Sequence, residues 1–223
     1  MKPISSFSLR CGIAFGNSKD EVKGLETRGL FDMNSGNRLS FAGAVSGLPG
    51  GVTYYSFNKD DQLIYMSYVY HNTFYKGSSN VLESHRKMNN IRKTLLEGMK
   101  KKYGTPEYKE DSLQNISCGV EYKNLIKKAL QYENSRFYKF GSDSRSNGLT
   151  AWVIPEQNGY VIISLHAITK EDGYGLEITD MVELGYLYIP NEEYNSIMGL
   201  QLAQEELARK ELAKKEAEFL NDL

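Results

Sequence analysis

Residues 51–106 read GVTYYSFNKDDQLIYMSYVYHNTFYKGSSNVLESHRKMNNIRKTLLEGMKKKYGTP. Val52–Asn58 and Leu63–His71 are runs of β-branched and aromatic residues, the composition of half-buried strands. Lys59-Asp60-Asp61-Gln62 between them is a polar loop of hairpin length. Ser78-Ser79-Asn80 supplies cap residues for a helix, which Gly104-Thr105-Pro106 stops after Tyr103. The stretch therefore predicts a β-hairpin followed by one long amphipathic helix. In the second strand Leu63, Tyr65, Ser67 and Val69 share one face, and Ile64, Met66, Tyr68 and Tyr70 share the other. Both faces are largely apolar. Such a strand sits centrally, or has its second face covered by a helix, a partner or a ligand.

The helix carries Val81, His85, Met88, Ile91, Leu95 and Met99 at three- and four-residue spacings, a stripe expected to lie on the sheet. Arg86, Lys87, Arg92, Lys93 and Lys100–Lys102 form its outer face. Lysines in a last turn complement the helix dipole. The basic face therefore reads as solvated rather than as a nucleic-acid or anionic-membrane surface.

Upstream, Phe7–Phe15 alternates as a strand does. Ser18 and Glu21 stand at capping-box spacing and predict a short helix over 19–26. Arg38–Val45 reads as a strand, and Gly47–Gly51 as a turn. Downstream, a polar stretch after Pro106 marks a boundary. Tyr122–Tyr132 reads as a second amphipathic helix, Arg136–Phe140 as a short strand, and Gly141–Gly148 as a mobile loop. Thr150–Pro155, Tyr160–Ile168 and Tyr174–Ile189 read as strands, with Glu156–Gly159 as a hairpin turn in which Gly159 can take positive φ. A charged helix starts at Pro190 or Asn191. Its Glu–Lys/Arg pairs are spaced i,i+4, and it lacks a clean heptad.

The expected class is α+β: antiparallel sheet with helices packed on one face, and an extended C-terminal helix. The grammar allows two tandem helix-plus-β-meander halves. Residues 1–106 form the first unit, 107–189 a second that shares or extends the sheet, and 190–223 the charged helix, which could support weak self-association.

The net charge of −1 gives no global field for nucleic acid. Two cysteines, Cys11 and Cys118, exclude a disulfide-stapled fold. No apolar run reaches the length of a signal peptide or a transmembrane helix. A cytoplasmic location is favoured, and an envelope location would require a leader ahead of Met1. With 16 Tyr and 9 Phe against 1 Trp, the chain suits amphipathic strands or a tyrosine-lined binding face.

Phe15-Gly16-Asn17-Ser18-Lys19-Asp20-Glu21-Val22 resembles the helix start of SmpA/OmlA-like domains of bacterial envelope lipoproteins, and of the related β-lactamase-inhibitor proteins. Asp61-Gln62-Leu63-Ile64-Tyr65 is similar to their strand start, and Lys102-Tyr103-Gly104-Thr105-Pro106 to the close of their following helix. The resemblance covers about residues 7–106. It implies a non-catalytic module that binds other proteins. Cys11 lacks the apolar leader of a lipobox.

Chemistry-bearing motifs are scarce. His71, His85 and His166 have no metal-ligand partner at short spacing, so no metal and no cofactor is expected. Cys11 and Cys118 lack a nucleophile signature, and Ser144 and Ser146 lack an elbow. Asp172, Glu177, Asp180 and Glu183 read as a solvated strand face. The leading expectation is a non-catalytic protein-binding or scaffolding module, not an enzyme. Its partner would be another protein, met by an exposed or groove-forming aromatic face of Tyr54, Tyr65, Tyr68 and Tyr70. The alternatives are an enzyme with a dispersed His/Cys/carboxylate site, and a basic-helix binder of an anionic surface or nucleic acid.

Overall fold

The computed structural model describes residues 5–45, 48–78, 80–110, 116–118, 123–132, 144–171, 174 and 176–221. The first meander consists of β1 (Leu30–Ser35), β2 (Arg38–Val45), β3 (Leu48–Phe57) and β4 (Leu63–Tyr75). Two short strands follow, β5 (Tyr108–Glu110) and β6 (Ile116–Cys118). The second meander is β7 (Ser144–Glu156), β8 (Gly159–Glu171) and β9 (Glu177–Pro190). The helices are α1 (Lys19–Leu25), α2 (Val81–Tyr103), α3 (Lys123–Leu130) and α4 (Asn191–Asn221). The nine strands of the described residues form one sheet in the order β1-β2-β3-β4-β9-β8-β7-β5-β6. Every pairing in it is antiparallel. The protein is α+β with a C-terminal helix. Both meanders belong to the same sheet, because β4 pairs with β9 from Tyr65↔Leu187 to Tyr75↔Glu177.

Strand β4 is central, as its two apolar faces require. On one face Met88, Ile91 and Met99 of α2 meet Met66, Tyr68, Leu184 and Trp152. On the other, Leu125 and Ala129 of α3 meet Tyr65, Ile162, Leu187 and Ile189, with Tyr194, Ile197 and Met198 of α4 alongside. Helices thus cover both faces of the central strands, where one covered face was expected. Consecutive apolar residues such as Val161-Ile162-Ile163 leave neither face suited to water. Beyond Gln201, α4 leaves the core, and Leu202, Leu207 and Leu212 are exposed. No helix among the described residues is long and apolar enough to cross a membrane.

Phe7–Phe15 is not a strand. Cys11 (φ 55) and Gly12 (φ 74) turn the chain back through a 3-10 turn, with one bridge between Ser8 and Ala14. Its alternating apolar residues still enter the core: Phe7, Ile13 and Phe15 are buried. No strand signal marks β1, an edge strand with Leu30 and Phe31 exposed. Residues 48–51 of the expected Gly47–Gly51 turn are strand instead, since β3 already begins at Leu48. Likewise β7 begins at Ser144, inside the expected 141–148 loop, and absorbs the loop residues in a register shift between Ser146 and Leu149. Residues 136–140, read as a strand, lie outside the described residues. Gly159 is required by close approach rather than by positive φ: a Cβ there would stand 2.3 Å from the Ile189 carbonyl oxygen.

The capping box of α1 is formed. Ser18 Oγ accepts from the Glu21 amide at 3.3 Å, and Glu21 Oε2 accepts from the Ser18 amide at 2.7 Å. The Ser18 amide holds the Glu21 carboxyl at about 2, against 4.5 for a free side chain. A folded value below the unfolded one stabilises the native state above the unfolded value. The advantage of wild type over Glu21→Gln should therefore be full above pH 4.5 and vanish as pH falls through about 2. Unfolding midpoints across that range check this, and a difference independent of pH would contradict it.

Candidate functional site

The four tyrosines singled out by sequence do not form one face. Tyr68 and Tyr70 point towards α2, whereas Tyr65 lies on the α3 side. Tyr54 is paired with Ser67 and so shares the Tyr65 side. Tyr65 is 0%, Tyr70 1% and Tyr68 9% exposed, and Tyr54 is half-buried. An exposed aromatic face on β4 is therefore excluded, because α2 and α3 close over the strand from opposite sides. The Tyr65 ring stacks on Tyr132 at 5.7 Å, and its hydroxyl donates to Glu183 Oε1 at 3.0 Å. Burial pushes the Tyr70 phenol up to about 12.

A polar network lies beneath the turn at residues 10–12. Glu26 ends α1, and its side chain is completely enclosed. Arg10 Nη2 donates to Glu26 Oε1 at 2.5 Å, the Arg28 amide donates to the same oxygen at 2.9 Å, and the Tyr55 hydroxyl donates to Oε2. Arg10 Nη1 also donates to Thr53 Oγ1 at 2.9 Å. Burial alone would raise the Glu26 carboxyl. The donors from Arg10, Tyr55 and the Arg28 amide outweigh it and hold the group below its ordinary value. Burial and the bond to Glu26 drive the Tyr55 phenol far above the usual tyrosine range.

This network borders a groove of about 380 Å³ between residues 7–10, the second half of α2, and strands β4 and β9. Its walls are mainly apolar and aromatic, with Ser8, Arg10, Thr94 and Lys102 among them. Phe7 stacks on Tyr103 at 6.0 Å and lies 6.0 Å from Tyr186, which meets Tyr68 edge-on at 6.3 Å. The Arg10 guanidinium sits 5.8 Å from the Tyr68 ring centroid, and Lys102 Nζ lies 4.9 Å from that of Tyr103. Polar groups here are poorly matched. Arg10 Nε and the Tyr103 hydroxyl are enclosed with no hydrogen-bond partner. The Tyr186 hydroxyl has only Met99 Sδ, at 3.8 Å. Gly98 also lines the groove, and a Cβ there would meet no atom within 4 Å. Of the four tyrosines named from sequence, Tyr68 alone lines this groove. Arg10, Tyr103 and Tyr186 were missed, since they come from three separate segments with no shared motif.

The three histidines are not gathered. His85 is on the α2 side, next to Asp180, with Nδ1 2.6 Å from Oδ2. His71 is exposed, opposite Met181 in the register, and His166 is half-buried, opposite Glu183. Cys11 is a free thiol that contacts Glu26 and Thr27 rather than a histidine. The Cys118 side chain lies outside the described residues. Asp180 (3% exposed) and Glu183 (0%) are buried on opposite faces of β9, which corrects their reading as a solvated face. Helix α2 covers one face of β9 and helices α3 and α4 the other, so neither face reaches solvent there. Among the described residues no cluster of three His, Cys, Asp or Glu could hold a metal ion. No family model, no curated protein and no solved structure matches this chain.

Proposed function

We propose that the protein is a non-catalytic binding module, and that its ligand enters the groove between residues 7–10 and α2. One observation carries this reading: three enclosed polar groups, Arg10 Nε and the hydroxyls of Tyr103 and Tyr186, have poor or no partners inside a mainly apolar, aromatic groove. Buried polar groups are almost always satisfied, so such a set favours a ligand that brings its own acceptor. The volume matches the lower end of small-molecule sites, about 300–1,000 Å³. A small amphipathic molecule fits better than a protein surface, because the tyrosines that would have formed a docking face are core. Its apolar body would lie against Tyr68, Met99 and Tyr186. An acceptor would complete Arg10 and Tyr103, and an anionic end would meet Lys102 at the rim. The likeness of residues 15–22 and 102–106 to SmpA/OmlA-like domains supports the non-catalytic part of the reading. The exposed leucines of α4 support weak self-association.

Gly98 supplies the test. It stands inside α2, where glycine costs about 1 kcal/mol relative to alanine. Gly98→Ala is expected to stabilise the fold by up to that amount, because the added Cβ meets nothing. Gly98→Phe places a ring in the groove. The probe is anilinonaphthalene sulfonate, which has apolar rings and one anionic group. Wild type should bind it saturably, and Gly98→Phe should weaken binding at least about tenfold, or 1.4 kcal/mol. Near-ultraviolet circular dichroism verifies that the variant is folded. Equal binding by a folded Gly98→Phe would sink the proposal.

A further inference from the structure

A second cleft, of about 390 Å³, lies under the other half of α2, over β8 and β9. It shares no lining residue with the groove described above. His85, Asn89 and Arg92 line it from α2, at spacings of four and three that put them on one side of the helix. Asp180 and Thr169 line it from the strands.

The donors and acceptors in this cleft do not balance. Both Asp180 oxygens are occupied: Oδ1 accepts from Thr169 Oγ1 at 2.8 Å, and Oδ2 from His85 Nδ1 at 2.6 Å, with Ser84 Oγ 3.5 Å away. Ser84 is held in turn by Asn72 Nδ2 at 2.8 Å. The Asp180 carboxylate thus fixes the imidazole with Nδ1–H inward and leaves Nε2 as the free ring nitrogen. The ring edge is set against Phe74, 5.6 Å away, and the side chain stays 39% exposed. Among the described residues Arg92 is the uncompensated group. Its Nε is enclosed without a hydrogen-bond partner, and no carboxylate among the described residues pairs with it. Its guanidinium is pressed against the backbone at Gly148, where a Cβ would stand 2.3 Å from Nη2. Gly148 (φ 125) sits in the register shift of β7, so the strand yields space to the arginine.

A guanidinium with no counter-charge among the described residues, an exposed amide and an acceptor imidazole nitrogen on one side of a helix can all be met by one group, a partly protonated oxyanion. We propose that this cleft binds a small phosphate-type oxyanion, free or as the phosphoryl group of a larger molecule, between Arg92, Asn89 and Nε2 of His85. With Nε enclosed and Nη2 against Gly148, the Arg92 guanidinium addresses such a group through Nη1. The Asn89 amide then donates to a second oxygen, and Nε2 of His85, an acceptor while Nδ1 carries the proton, accepts from a P–OH of the protonated anion. That arrangement suits a tetrahedral anion better than a planar carboxylate, which has only two oxygens. Asp180 acts as the positioning residue for His85 and does not touch the anion. The inference is independent of the groove ligand.

Calorimetric titration of the full chain with inorganic phosphate, at ionic strength held constant with sodium chloride, tests it. Saturable binding at one site is expected, together with movement of the His85 ring signals in the nuclear magnetic resonance spectrum. Arg92→Gln should raise Kd at least about tenfold, and His85→Gln should raise it too. Phenyl phosphate is the second arm. Tighter binding than inorganic phosphate identifies a phosphoryl group on a larger molecule as the ligand, and weaker binding identifies the free ion. Heat effects no greater than those of added chloride would overturn the proposal, as would wild-type affinity in folded Arg92→Gln. If that variant does not fold, the wild-type spectrum decides: His85 signals that do not move as phosphate is added overturn it.

Discussion

Glu26→Ala is expected to destabilise the protein by about 3–5 kcal/mol, a large part of the roughly 5–15 kcal/mol that holds a domain together. The substitution removes the acceptor for Arg10, Tyr55 and the Arg28 amide at once. It also leaves the Arg10 guanidinium, whose side chain is 6% exposed, without its counter-charge. Most of the loss comes from that stranded cation rather than from the net worth of the pair. Replacing both partners, Arg10→Met with Glu26→Leu, should therefore cost far less than the sum of the single changes. Urea unfolding of wild type, Arg10→Met, Glu26→Leu and the double variant completes the cycle, with Glu26→Ala measured beside them. A Glu26→Ala cost below about 1 kcal/mol would mean that water reaches the pair, and the network would then be a surface ion pair.

Trp152→Ala should cost a similar amount, about 3–5 kcal/mol. The ring is fully enclosed, so truncation leaves a cavity among Ile163, Leu184 and their neighbours. The indole also donates from Nε1 to the Gly104 carbonyl at 3.0 Å and ties the end of α2 to β7. Trp152→Phe separates the two effects. It keeps most of the volume and loses the bond, for which about 1–3 kcal/mol is expected if the carbonyl is left buried. Thermal unfolding followed by circular dichroism gives both values. Equal losses in the two variants would assign the stability to the bond rather than to packing.

What could be read from the sequence was what is local. The hairpin, α2, the α1 capping box and the strands after residue 148 follow from period, caps and turns within about twenty residues. Strand β1 was invisible because Leu30 and Phe31, on opposite faces of an edge strand, are both exposed, so its start shows no alternation. The turn at Cys11 was hidden by apolar residues that alternate yet are delivered to the core by a reversal of the chain. Parity in β4 separated Tyr65 from Tyr68 and Tyr70. It could not show that α3, some sixty residues later, would close over Tyr65. The two clefts were illegible for the same reason. Arg10, Tyr103 and Tyr186 meet only through tertiary packing, as do His85 and Asp180.

The pairing of β4 with β9 joins positions between 102 (Tyr75 to Glu177) and 122 (Tyr65 to Leu187) residues apart. During synthesis the chain through α2 emerges before β8 and β9 exist. Met88, Ile91 and Met99 then lack much of their floor, and β4 presents a bare, tyrosine-rich edge. Ribosome-bound chains that end near residue 110 should accordingly be captured by chaperones, and release should coincide with the arrival of β9 in the solvent. Closure over so long a separation is slow. The time spent with that edge open is therefore expected to limit the share of chains that reach the native sheet.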